Sequence, residues 1–140
     1  MEERITRPNQ ELVVTDTGQG LEIAFYRLTG STLRPELSHS ITLKDRDISY
    51  FAGQLTDPSI LDPSGKVEMK EPYEYIIRVR WDGMHRILSF VPWEGGEAVE
   101  SIRLSPLEAY RVGVLANNTA LINHLMKRLA RWDHGTKPEG

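Results

Sequence analysis

Residues 73–132 read YEYIIRVRWDGMHRILSFVPWEGGEAVESIRLSPLEAYRVGVLANNTALINHLMKRLARW, a hairpin signal followed by a strand and a marked helix start. Asp82-Gly83 between two alternating apolar runs is the strongest short-range pattern for a two-residue type I′ turn. With Asp82-Gly83 as the loop, Trp81 faces Met84, Val79 faces Arg86, Ile77 faces Leu88 and Tyr75 faces Phe90. That surface is the expected core face. The opposite surface pairs Arg80 with His85 and Arg78 with Ile87, and adds Glu74, Ile76 and Ser89. It is half polar, locally basic and expected to face water.

Trp93-Glu94-Gly95-Gly96 reads as a turn, and Glu97 to Leu104 alternates as a third strand with Ile102 and Leu104 on one side. Ser105, Pro106 and Glu108 then mark a helix start. The serine is an N-cap, the proline suits the first helical position, and the glutamate three residues on completes a capping box. Beyond it Leu107, Tyr110, Val114, Leu121, Leu125, Leu129 and Trp132 recur at helical spacing, with Ile122 and Met126 beside them. This stripe is expected to cover the sheet. Asn117-Asn118-Thr119 leaves two readings, a continuous helix or one split there with Thr119 capping a second segment.

Working toward the N-terminus, residues 56–72 form a long connection rich in proline, with a short strand expected at Lys66 to Met69. Ahead of it Asp45 to Leu55, carrying Ile48, Phe51 and Leu55, reads as a short middle helix without a good cap. Three strands are expected at Glu11–Thr15, Leu21–Leu28 and Leu37–Leu43, the last placing Leu37, His39, Ile41 and Leu43 on one face. Residues 1–10 and 133–140 are polar and read as flexible ends. The two halves share an order of strand, loop, strand and helix, with Ile41-Thr42-Leu43 matching Ile102-Arg103-Leu104, as a duplicated unit with its midpoint at 56–72 would. The expected fold is α+β: one domain over 11–132 with a twisted antiparallel sheet of six or seven strands, a short middle helix and a long C-terminal helix packed on the sheet.

The chain has 140 residues, a formal net charge of -3 and no cysteine. Disulfides, thiolate nucleophiles and cysteine-ligated zinc are excluded. No apolar run approaches the ~18 residues of a membrane span, and MEERITRPNQ has neither a signal-peptide core nor a transit-peptide composition. A cytoplasmic protein is expected, in a host cytoplasm if phage-encoded. His39, His85, His124 and His134 stand in no metal-ligand spacing, and neither a phosphate-binding G-x-x-x-x-G-K-[ST] nor a G-x-S-x-G elbow occurs. No catalytic residue, metal or cofactor is expected.

The chemistry that remains is binding. Proteins that hold single strands combine a basic groove with planar side chains on which bases stack. Arg78, Arg80 and His85 on the outer hairpin face, with Trp93, Tyr26 and Arg27 from flanking segments, are the candidates. The plainer alternative is that Arg78 and Arg80 are solvated strand residues ion-paired to Glu74 or Glu97.

The run RILSFVPWEGGEAVESIRLSPLEAY, through Trp93, Gly95, Gly96, Ile102, Leu104, Pro106 and Glu108, resembles the end of the single-stranded-DNA-binding unit of transcriptional positive cofactor four. The resemblance covers about 25 residues. Two such units in one chain would be similar to the Whirly fold, and this resemblance implies a transcription-associated protein that binds single-stranded nucleic acid. A second functional class fits the composition as well: a small acidic regulator, such as a phage-encoded factor, that docks on RNA polymerase. Ile76 and Ile87 on the basic face and the long helix stripe favour that class, and the stripe also suits a homodimer through the C-terminal helix.

Overall fold

A computed structural model describes residues 1–29, 34–56 and 73–133. These form strands β1 (Glu2–Thr6), β2 (Gln10–Asp16), β3 (Leu21–Thr29) and β4 (Arg34–Leu43), helix α1 (Arg46–Thr56), strands β5 (Tyr75–Asp82), β6 (His85–Pro92) and β7 (Glu100–Leu104), and helix α2 (Pro106–Asp133). The seven strands make two antiparallel sheets, β1-β2-β3-β4 and β5-β6-β7, and not the single sheet expected. Each sheet is a meander followed by its helix. The expected strand at Lys66–Met69 lies outside the described residues.

One core joins both sheets and both helices. Period-two alternation puts Leu12, Val14, Ile23 and Phe25 of the first sheet and Ile77, Val79, Leu88 and Phe90 of the second on inward faces. Phe25 meets Phe90 edge to face with ring centroids 4.9 Å apart, and Tyr75 stacks on Phe90 at 6.0 Å. His39, on β4, turns its ring edge to Tyr75 and brings Nδ1 within 2.9 Å of Glu100 Oε1. The histidine is thus a partnered residue between the sheets.

Several boundaries differ from expectation for local reasons. Glu2–Thr6 is a paired edge strand with Ile5 buried, where its charge density had read as a flexible end. Those charges are the pairing: Arg4 bridges to Glu2 and Glu11, and Glu3 to Arg111 of α2. In β4 the register shifts opposite Phe25/Tyr26, so Ser38 is skipped and Leu37 pairs with Tyr26. A one-residue bulge sends every residue beyond it to the other face. Leu37 is therefore exposed and does not share the inward face of His39, Ile41 and Leu43. The third strand of the second sheet starts at Glu100 and not at Glu97, because residues 95–96 turn through positive φ and Val99 already bonds back to Phe90.

The hairpin loop is Gly83-Met84, with Asp82 paired to His85 and Trp81 to Arg86. Only Gly83 has positive φ (59°), the pattern of a type II′ turn, which wants glycine at its first central position. The expected register is off by two residues. Because side chains alternate with period two, a two-residue slip keeps every strand residue on its face. Met84 alone changes place, out of the core face and into the exposed turn. Arg86 does lie on the inner side, where its guanidinium stacks over Trp81 and donates to the Met84 carbonyl, and burial lowers its pKa. Trp81 Nε1 donates to the Gln54 carbonyl at 3.1 Å, tying the hairpin to α1.

The capping box is complete. Glu108 N–H donates to Ser105 Oγ at 3.1 Å and Ser105 N–H donates to Glu108 Oε1 at 2.9 Å. Arg7, in the β1–β2 turn, grips the same carboxylate with both terminal nitrogens at 2.6 and 3.0 Å and also donates to the Arg103 carbonyl at 2.7 Å. The Arg7 hydrogen bond above all, with Ser105 adding to it, lowers the Glu108 pKa from 4.5 to about 2. A lowered folded-state pKa contributes stability that is present above about pH 4.5 and lost as pH falls toward about 2. Glu108→Gln keeps a capping-box side chain but not the charge. It is expected to be less stable than wild type at pH 7 in urea melts, with the gap narrowing below about pH 4.5 and closing as pH falls through about 2; an equal gap at pH 7 and at pH 2 would sink the assignment.

Helix α2 is continuous for 28 residues. Thr119 is buried and its hydroxyl bonds back to the Leu115 carbonyl at 3.0 Å, so it caps no second segment. The face it presents to the domain is not the expected stripe. Ala109, Val112, Gly113, Ala116 and Thr119 are inside, while the stripe from Leu107 to Trp132 is 36–65 % exposed at every large apolar residue named above. Small residues win the inner position because α2 lies close against α1. A Cβ on Gly113 would stand 2.2 Å from Thr56 Cγ2.

Candidate nucleic-acid interface

Alternation in β5 and β6 turns Arg78 and Arg80 away from the core, and the observed pairing sets each beside a β6 residue of the same outer face. The β6–β7 pairing extends these pairs to rows across three strands. Arg80, Ile87 and Arg103 form one row, and Arg78, Ser89 and Ser101 the next. Neighbouring strands are ~4.8 Å apart, so Arg78, Arg80 and Arg103 make one cationic patch, with His85 at its hairpin end. Ser89 and Ser101 share a hydroxyl hydrogen bond at 2.8 Å within it.

Arg103 and Ser101 were not among the sequence candidates. Their signal was present, since Ile102 and Leu104 facing inward require Ser101 and Arg103 to face outward beside Ile87. Next to this row lies an open groove of about 400 Å³ lined by Arg7, Gln10, Ile87, Ser101, Ile102 and Arg103. The β1–β2 turn forms its other wall.

Charge pairing separates these cations. Arg103 is bound to Asp82 and Arg7 to Glu108. Arg78 and Arg80 form no ion pair among the described residues, neither with Glu74 nor with Glu97, and Arg78 Nε is buried without a hydrogen-bond partner. The face is not wet throughout. Arg80, Ser101 and Arg103 are exposed, Ile76, Arg78, His85 and Ile87 are half-buried, and Ser89 and Val91 are buried.

The remaining candidates stand elsewhere. Trp93 is exposed in the β6–β7 loop, eight residues along from His85 and hence ~26 Å away at ~3.3 Å per residue. Tyr26 and Arg27 belong to the other sheet, where Tyr26 pairs with Glu11 and Leu37. Arg27 pairs with Gln10, which lines the groove, but neither Arg27 nor Tyr26 lines it. No protein-family model matches this chain, and no curated protein matches it. Among the described residues no helix is long and apolar enough to cross a membrane.

Proposed function

We propose that the chain is a non-enzymatic, transcription-associated binding protein of the cytoplasm that holds single-stranded nucleic acid on the outer face of β5–β7. The observation that carries this reading is the pair Arg78 and Arg80, two uncompensated cations side by side in a chain whose other patch arginines are already ion-paired. Phosphates would supply the missing anions, and the guanidinium planes and His85 would meet bases. The plan of two sheet-plus-helix units supports a Whirly-like relationship on the fold level. Trp93, Tyr26 and Arg27 would then serve longer strands that run off the patch.

The test is fluorescence anisotropy of a labelled single-stranded 30-mer at low and at physiological salt. Binding should weaken as salt rises, and Arg78→Glu with Arg80→Glu should lower affinity at least tenfold with the melting temperature within a few degrees of wild type. Two lost phosphate contacts should flatten the log–log salt slope by about 1.4, at ~0.7 per contact for a single strand. Absence of binding at low salt would overturn the reading. Ile76 and Ile87, apolar among the arginines, favour one alternative, in which the same face docks on an acidic surface of a transcription-machinery protein such as RNA polymerase.

A further inference from the structure

Helix α2 has two apolar faces. At ~100° per residue its buried positions Ala109, Val112, Ala116 and Thr119 centre roughly opposite the arc that holds Leu107, Tyr110, Val114, Leu121, Leu125, Leu129 and Trp132. The inner face is small and spent on the domain. The outer face carries the large side chains, and nothing among the described residues covers it. A soluble monomer rarely leaves so long a contiguous apolar surface open.

We propose that this face is the interface of a homodimer in which two copies of the chain pair their α2 helices antiparallel about a two-fold axis. The spacing of the stripe argues for a second copy as the occupant. Leu107 and Trp132, Tyr110 and Leu129, Val114 and Leu125, and Asn118 and Leu121 are each equidistant from the midpoint between Thr119 and Ala120. An isologous contact demands this self-complementarity, since each position on one copy meets its reflected position on the other. With the axis at that midpoint, seven of the eight stripe positions are apolar and each apolar residue is level with a stripe residue of the second copy.

Size and dipole direction agree with that occupant. The seven large stripe side chains, each with roughly 80 Å² out of water, would bury about 560 Å² per copy, which over two copies clears the ~1,000 Å² of a biological interface. Antiparallel packing sets the helix dipoles head to tail. Arg128 comes level with Arg111 of the second copy, whose charge Glu3 already answers at 2.7 Å. The buried positions of α2 face its own domain, while β1 runs beside the stripe at Val114 and Asn118.

The test uses the full chain. Sedimentation velocity at micromolar concentrations should give twice the 16.0 kDa chain mass. Leu121→Glu with Leu125→Glu should sediment as a monomer with an unchanged circular-dichroism spectrum, because both side chains are exposed within one copy. The absence of cysteine allows the direction to be read as well. Asn118→Cys should form a disulfide-linked dimer on oxidation, since two copies of that position lie ~4.5 Å apart along the helix axis, whereas Leu107→Cys should not, with its two copies ~38 Å apart. A monomeric wild type, a dimeric glutamate variant, or cross-linking of Leu107→Cys as efficient as that of Asn118→Cys would each overturn the proposal.

Discussion

Replacing Phe90 with alanine is expected to cost about 3–5 kcal/mol of folding stability, the range for deleting a fully buried phenylalanine. The ring is wholly out of water and lies where the two sheets meet, edge to face with Phe25 and stacked with Tyr75. Each aromatic pair is worth ~0.5–1.5 kcal/mol beyond the area it buries, which places the loss near the top of the range. A domain of this size has about 5–15 kcal/mol in hand. The variant should therefore melt well below wild type and unfold at much lower urea, while Trp93→Ala, an exposed aromatic three residues away, should stay within about 0.5 kcal/mol. Urea titrations followed by circular dichroism decide the point. A loss for Phe90→Ala below ~1 kcal/mol would mean that the sheets do not share this core.

The elements themselves were legible because each rests on neighbours in sequence. Asp82-Gly83 announced a hairpin, Ser105-Pro106-x-Glu108 a helix start, and Ile48, Phe51 and Leu55 a helix that spans Arg46–Thr56 where Asp45–Leu55 was expected. How strands group into sheets is a long-range matter. Alternation shows that one face of a strand is buried, and that is equally true of one seven-stranded sheet and of two sheets facing each other. The bulge at Ser38 is likewise invisible in the pattern Leu37, His39, Ile41, Leu43, which alternates without a break.

Reading the site followed the same rule. The faces of Arg78, Arg80 and His85 survived a wrong register because the error was two residues, and one residue would have set the arginines and the histidine on opposite faces. The neighbours Arg103 and Arg7 depend on which strand lies beside β6 and which turn lies beside β7, so only Arg103 was within reach of the alternation argument. The distance of Trp93 from His85 follows from strand length, which separates the two ends of β6. On α2 the rule that large apolar residues face inward chose the wrong side, since Ala109, Gly113 and Ala116 allow an approach that Leu121 or Leu125 would forbid.

That close approach leads to the second large effect. Gly113→Leu is expected to destabilise the protein by about 3 kcal/mol, the upper end for overpacking a core, because even a Cβ there would overlap the Thr56 methyl at 2.2 Å and touch Leu55 Cβ at 3.5 Å. Thr56 cannot simply turn aside, as its hydroxyl donates to the Ala52 carbonyl at 2.9 Å. Gly113→Ala separates the clash from the backbone. Alanine in a helix interior gains ~1 kcal/mol over glycine, so in wild type the two terms oppose and the variant should be destabilised. Thr56→Ser removes the offending methyl and keeps the hydroxyl bond. In that background Gly113→Ala should become stabilising by up to ~1 kcal/mol, which makes the coupling between the two positions about 2 kcal/mol, within the range for residues in contact. Additive effects in this cycle would show that α1 and α2 do not meet at Gly113, and the burial of the small-residue face, with the exposure of the stripe opposite it, would lose its cause.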